Sequence, residues 1–148
     1  MIRRFGATLS LAVAIVGLAA MAADAAVATV QKRFYLQVRN VKAGEALRLE
    51  VTNTDVLSIR VTDIRLSGLT TPLDDGDVAV DGNVLTVGTS RQRLSVNLTL
   101  HAVCNTVCPA ELAGTASLPN ASYAMLRTQA ADATLVASGR WRVMLSDG

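Results

Sequence analysis

From Phe34 onward the apolar residues recur at every second position, the spacing that places side chains on one face of a half-buried strand. In RFYLQVR, Phe34, Leu36 and Val38 share a face against Tyr35, Gln37 and Arg39. ALRLEVTN repeats the pattern, with Leu47, Leu49 and Val51 inside and Arg48, Glu50 and Thr52 outside, and a turn at VKAGE separates the two. In VLSIRVTDIRL, Leu57, Ile59 and Val61 take one face. The phase then slips, so that Ile64 and Leu66 carry the apolar side, which predicts a bulge or a bend between two sheets. The Gly, Pro and Asp of LSGLTTPLDDGDVAVDGN predict a loop, a short strand from Val78 to Val80 and a DGN turn. NVLTVG and RLSVNLTLHAV follow as strands, the second holding Leu94, Val96, Leu98 and Leu100 in strict alternation.

The stretch ASYAMLRTQAADATLVAS carries two signals. Its Ala, Leu, Met and Gln suit a helix that Asn120 or Ser122 would cap. Tyr123, Met125 and Arg127 nonetheless alternate with Ala124, Leu126 and Thr128, and Thr134 to Ala137 is β-favouring, so strands are the preferred reading of residues 121–137. Ser138-Gly139 makes a turn, after which Trp141, Val143 and Leu145 alternate with Arg140, Arg142 and Met144. About eight short strands at regular intervals, with no strand-helix alternation, predict an all-β chain: a single antiparallel β-sandwich of the immunoglobulin-like kind.

The N-terminus breaks this pattern. Arg3 and Arg4, an apolar run from about Leu9 to Ala20 and the A-x-A patterns ending at Ala22 and Ala25 make residues 1–26 a secretory signal peptide of the ordinary Sec type. The run is shorter than the roughly 20 apolar residues of a membrane-spanning helix. No stable membrane span is expected after cleavage. The expected mature chain, residues 27–148, is one β-sandwich domain exported to the periplasm or cell surface, large enough to bury a core of its own. Its basic residues are mostly arginines scattered singly, and loss of Arg3, Arg4 and Asp24 leaves a net charge of about +1, which argues against a nucleic-acid partner.

Candidate chemistry gathers in HAVCNTVCPAEL, residues 101–112, which holds the one histidine and both cysteines of the chain. In an exported protein the pair Cys104 and Cys108 most simply closes a small disulfide. VCNTVCPAEL also resembles the C-x-x-x-C-P motif of the copper-delivery proteins of cytochrome oxidase assembly. That resemblance implies copper held by Cys104 and Cys108 with a downstream histidine, on a thioredoxin-like fold. This chain has no histidine after Cys108 and no βαβ order. His101 is the available local third ligand, in H-x-x-C-x-x-x-C, although strand alternation turns it toward solvent, opposite Leu100 and Ala102. A blue-copper site needs two histidines and is excluded.

The acidic run with Asp74, Asp75, Asp77 and Asp81 offers oxygen ligands for a hard cation, but lacks the order and closing glutamate of a calcium loop. No G-x-S-x-G elbow accompanies His101. Glu45, Glu50 and Glu111 are the only glutamates, and four mature aromatic side chains are few for an enclosed sugar site. No enzymatic activity and no cofactor are expected.

What remains is protein-protein contact. The segment AVATVQKRFYLQVR, the chain size, the export signal and the closing strand WRVML resemble exported pilus and fimbrial subunits, small β-sandwiches that insert a donor strand into the next subunit. The resemblance implies that Phe34, Leu36 and Val38 supply a donated face. The expected function is that of a surface-assembly subunit or periplasmic accessory domain with a protein partner or self-association, the alternative being a periplasmic copper-binding or thiol-redox protein.

Overall fold

A computed structural model describes residues 28–66, 73–74, 76–128 and 133–145, and the expected signal peptide lies outside them. Ten strands form in chain order: β1 (Thr29–Val41), β2 (Leu47–Val51), β3 (Val56–Leu66), β4 (Val78–Asp81), β5 (Val84–Val87), β6 (Leu94–Asn105), β7 (Glu111–Ser117), β8 (Tyr123–Arg127), β9 (Ala133–Val136) and β10 (Gly139–Met144). They build two five-stranded sheets, ordered β9-β8-β1-β6-β3 and β10-β7-β2-β5-β4, with every pairing antiparallel. The all-β two-sheet sandwich is as the alternation predicts. Among the described residues there is no helix, and so none long and apolar enough to cross a membrane.

The period-two residues face one another across the sheets and form a single core. Phe34, Leu36 and Val38 of β1 and Leu94 to Leu100 of β6 meet Leu47, Leu49 and Val51 of β2, Leu85 of β5 and Leu112 of β7. The ambiguous segment resolves into β8 and β9, with Ala124, Leu126 and Val136 in the core. Burial of one face decides it, because a helix there would leave the outer side of β1 unpaired along Tyr35–Arg39.

Ten strands form where the alternation predicts about eight, and Ile64 and Leu66, expected on the apolar side, pair with Leu98 and Val96 but stay 41% and 43% exposed on the edge strand. Two further details differ. Leu57, expected inside with Ile59, is 52% exposed, because a bulge between Val56 and Ser58 puts Val56 on the core side in its place, while Ile59 is buried as expected. The phase slip further along β3 is a second bulge, between Val61 and Asp63. The other difference is β7, which no apolar alternation announced. ELAGTAS turns Leu112, Gly114 and Ala116 inward, and only the first of these is a strong strand signal.

Edge strand β3 is the longest edge of the sandwich. Its two bulges break the regular ladder, and the Ile59 amide donates across to the Gly82 carbonyl, in the hairpin turn between β4 and β5 of the opposite sheet, at 3.0 Å. A third irregularity, between Val38 and Val41 of β1, places Asn40 at φ 62, where an asparagine is better tolerated than most residues; its amide donates to Ser95 Oγ at 3.1 Å.

Candidate functional site

Strand β6 settles the geometry of HAVCNTVCPAEL. Its alternation sends Leu100, Ala102 and Cys104 into the core and His101 and Val103 to the outer face. Cys104 and Cys108 form a disulfide with Cα atoms 5.1 Å apart, and both residues are buried. Between them Thr106 takes φ 64 and Val107 stands out from the surface, 68% exposed. The Thr106 amide donates to the Ala28 carbonyl and the Asn105 amide to that of Asp55, so the small ring pins the starts of β1 and β3 to the end of β6. Opposite faces of one strand separate His101 from the disulfide, and the structure does not bring the three together as ligands. Among the described residues no group of three or more His, Cys, Asp or Glu side chains is placed to hold a metal ion.

A ring this small restricts the unfolded chain only modestly. The Cys104→Ala/Cys108→Ala variant is expected to lose about 2 kcal/mol and still unfold cooperatively in a denaturant titration. A loss above about 5 kcal/mol would show the disulfide to be a principal support of the fold.

The acidic run has found another cation. Asp77 is buried, accepts a hydrogen bond from the Asp74 amide at 2.8 Å and pairs with the Arg91 guanidinium, whose Nε lies 3.4 Å from Asp74 Oδ2. Asp75 lies outside the described residues. Glu50 and Glu111 face Arg48 and Arg142, at 3.2 and 3.8 Å. The donor-segment residues Phe34, Leu36 and Val38 are 0%, 1% and 0% exposed, and β1 is paired on both sides, to β6 and β8. They are built into the protein's own core.

The feature that reading along the chain misses is on the outer face of the first sheet. Arginines isolated in sequence are neighbours here because antiparallel register aligns them in rows. Arg33 and Arg60 flank His101 from β1 and β3; Tyr35 and Asp63 flank Thr99, with Arg127 beyond Tyr35 on β8; Gln37 and Arg65 flank Asn97, with Met125 beyond Gln37. Arg39 follows, opposite Tyr123. Five arginines against one aspartate occupy this face. By contrast, two of the three arginines on the outer face of the other sheet, Arg48 and Arg142, have carboxylate partners.

The sheet curves around a depression of about 580 Å³ lined by Arg33, Tyr35, Gln37, Asp63, Arg65, Asn97, Thr99, Met125 and Arg127. The Arg127 guanidinium lies 5.6 Å from the centre of the Tyr35 ring, a cation–π contact that holds it over the depression. Arg60 Nη1 donates to Gln31 Oε1 at 3.2 Å, and Arg65 Nε to Asp63 Oδ2 at 2.9 Å. Among the described residues no carboxylate pairs with Arg33, Arg39, Arg60 or Arg127. His101 is held below its ordinary pKa by burial, and further by Arg33 and Arg60, so that the imidazole is neutral at pH 7. Its Nδ1 and Nη1 of Arg39 are buried polar atoms without a hydrogen-bond partner. The face thus carries an excess of positive charge around a floor of amide and hydroxyl side chains. No protein-family model, curated protein or solved structure matches this chain.

Proposed function

We propose that this chain is a non-enzymatic exported β-sandwich that works through protein-protein contact, in a surface assembly or as a periplasmic accessory domain, and that the outer face of the first sheet is its contact surface. The observation that carries this reading is the gathering of Arg33, Arg39, Arg60, Arg65 and Arg127 against Asp63 alone on a concave face. Concentrating like charges raises the electrostatic energy of the isolated domain, a cost that an opposite charge on a partner removes. The floor of tyrosine, amides and a hydroxyl supports the same reading, because arginine and tyrosine are enriched where proteins meet.

Site-directed photo-crosslinking in cells tests it. A photoreactive residue replacing Gln37, on this face, is expected to yield adducts with another polypeptide or a second copy, whereas one replacing Thr115, on the outer face of the other sheet, yields few. Equal yields from the two positions, or none from Gln37, would remove the proposal.

A further inference from the structure

We infer that the occupant of this face is an acidic polypeptide segment, whose carboxylates meet Arg33 and Arg127 while its backbone meets Gln37, Asn97 and Thr99; this rests on the protein-contact reading above. Sign and residue type come first. The face is positive, and its cations are arginines, whose planar fork matches a carboxylate with two parallel hydrogen bonds and is more weakly hydrated than an ammonium. Arg33 and Arg127 stand on adjacent strands, two residues apart in register, Arg127 directly across from Tyr35 and Arg33 two positions along β1 from it. Strand and residue spacings of about 4.8 Å and 6.8 Å set their backbones roughly 8 Å apart. Carboxylates on alternate residues of an extended chain are separated by about 7 Å, a spacing close to that of the two arginines.

The floor selects between kinds of anion. Asn97, Gln37 and Thr99 each accept as well as donate, and Asp63 beside Arg65 only accepts. A polypeptide backbone supplies alternating N–H and C=O groups to such a floor. A polymer with a phosphate or sulfate at every unit supplies acceptors and sets a like charge against Asp63 at every register, whereas a peptide can place an uncharged residue there. The near-neutral balance of the whole domain likewise gives no long-range field for a uniform polyanion. Met125 and the Tyr35 ring add apolar surface of the kind that polypeptide side chains cover.

The probe is an acetylated, amidated decapeptide of alternating Glu and Ser, titrated into the isotope-labelled mature domain at low ionic strength and followed by nuclear magnetic resonance. Saturable shifts are expected at Tyr35, Gln37, Asn97, Thr99 and Arg127, lost as salt rises toward about 0.5 M. The Arg33→Glu/Arg127→Glu variant is expected to weaken binding by about tenfold or more. Arg140→Glu/Arg142→Glu, on the opposite face, should leave it within about twofold. Arg33 and Arg127 are exposed, so the first variant keeps the native spectrum away from its substitutions. No saturable shift, indifference to Arg33→Glu/Arg127→Glu, or tighter binding of a ten-residue oligothymidylate to the same face would each overturn the inference. Crosslinks from Gln37 without peptide binding would leave the contact surface standing and reject its acidic occupant. Absence of those crosslinks removes the contact reading itself.

Discussion

Replacing Phe34 with alanine is expected to cost about 3–5 kcal/mol, a large part of the roughly 5–15 kcal/mol that holds a domain of this size together. Phe34 is fully buried, pairs with Leu100 across β1 and β6, and sits in the core with Leu36 and Val38. Truncation removes the ring from a site that strands on both sides hold open, so collapse recovers little of the cavity. Denaturant titration should show a lower midpoint with an unchanged slope. Removal of residues 27–38 should unfold the domain outright, since it takes most of the central strand from its sheet. A change below about 1 kcal/mol for Phe34→Ala would return this segment to the role of a donated strand, paired only when a second subunit supplies the groove.

Gly114→Ala is expected to destabilise by about 3 kcal/mol, at the upper end of overpacking costs. A methyl group there would lie 1.8 Å from the Glu50 carbonyl oxygen and 2.6 Å from Cζ2 of Trp141. One neighbour is main chain of the adjacent strand β2, and the other is the buried indole that lies across Gly114 on β10. The indole is itself tied down, Nε1 donating to the Thr115 carbonyl at 3.0 Å. Relief therefore requires β2 and β7 to separate. Fluorescence of the single tryptophan provides the readout, as an earlier and red-shifted thermal transition. Shrinking Trp141 in the Gly114→Ala background should not restore stability, because the clash with the Glu50 carbonyl persists. Full rescue by that second change would place the whole conflict at the indole.

Gly114 also shows where sequence reading stops. Alternation exposes a strand when its inward residues are large, as in Leu94, Val96, Leu98 and Leu100, and these strands were legible with their faces. In β7 the inward set is Leu112, Gly114 and Ala116, small because Trp141 fills the space from the neighbouring strand, and a pattern so made is visible only with both strands in view. The slip at Val61 was legible as a bulge, whereas the one at Leu57 was not, because either phase places an apolar residue inside. The pairing of Cys104 with Cys108 followed from spacing and from the expected export signal. The arginine face did not, since Arg33, Arg60 and Arg127 become neighbours only through the register of β1 with β6 and β8 and of β6 with β3. A count of scattered charges describes the chain accurately and its surface poorly.

The turn at Gly82 has a consequence for how this molecule behaves when crowded. By accepting from Ile59 it occupies a main-chain donor of the longest edge strand, and the bulges on either side deny an incoming strand a straight template. Fibre growth by addition of strands is thereby hindered along that edge. Contacts made through guanidiniums in place of strand pairing dissolve in salt and reform on dilution, which makes any assembly built on them reversible.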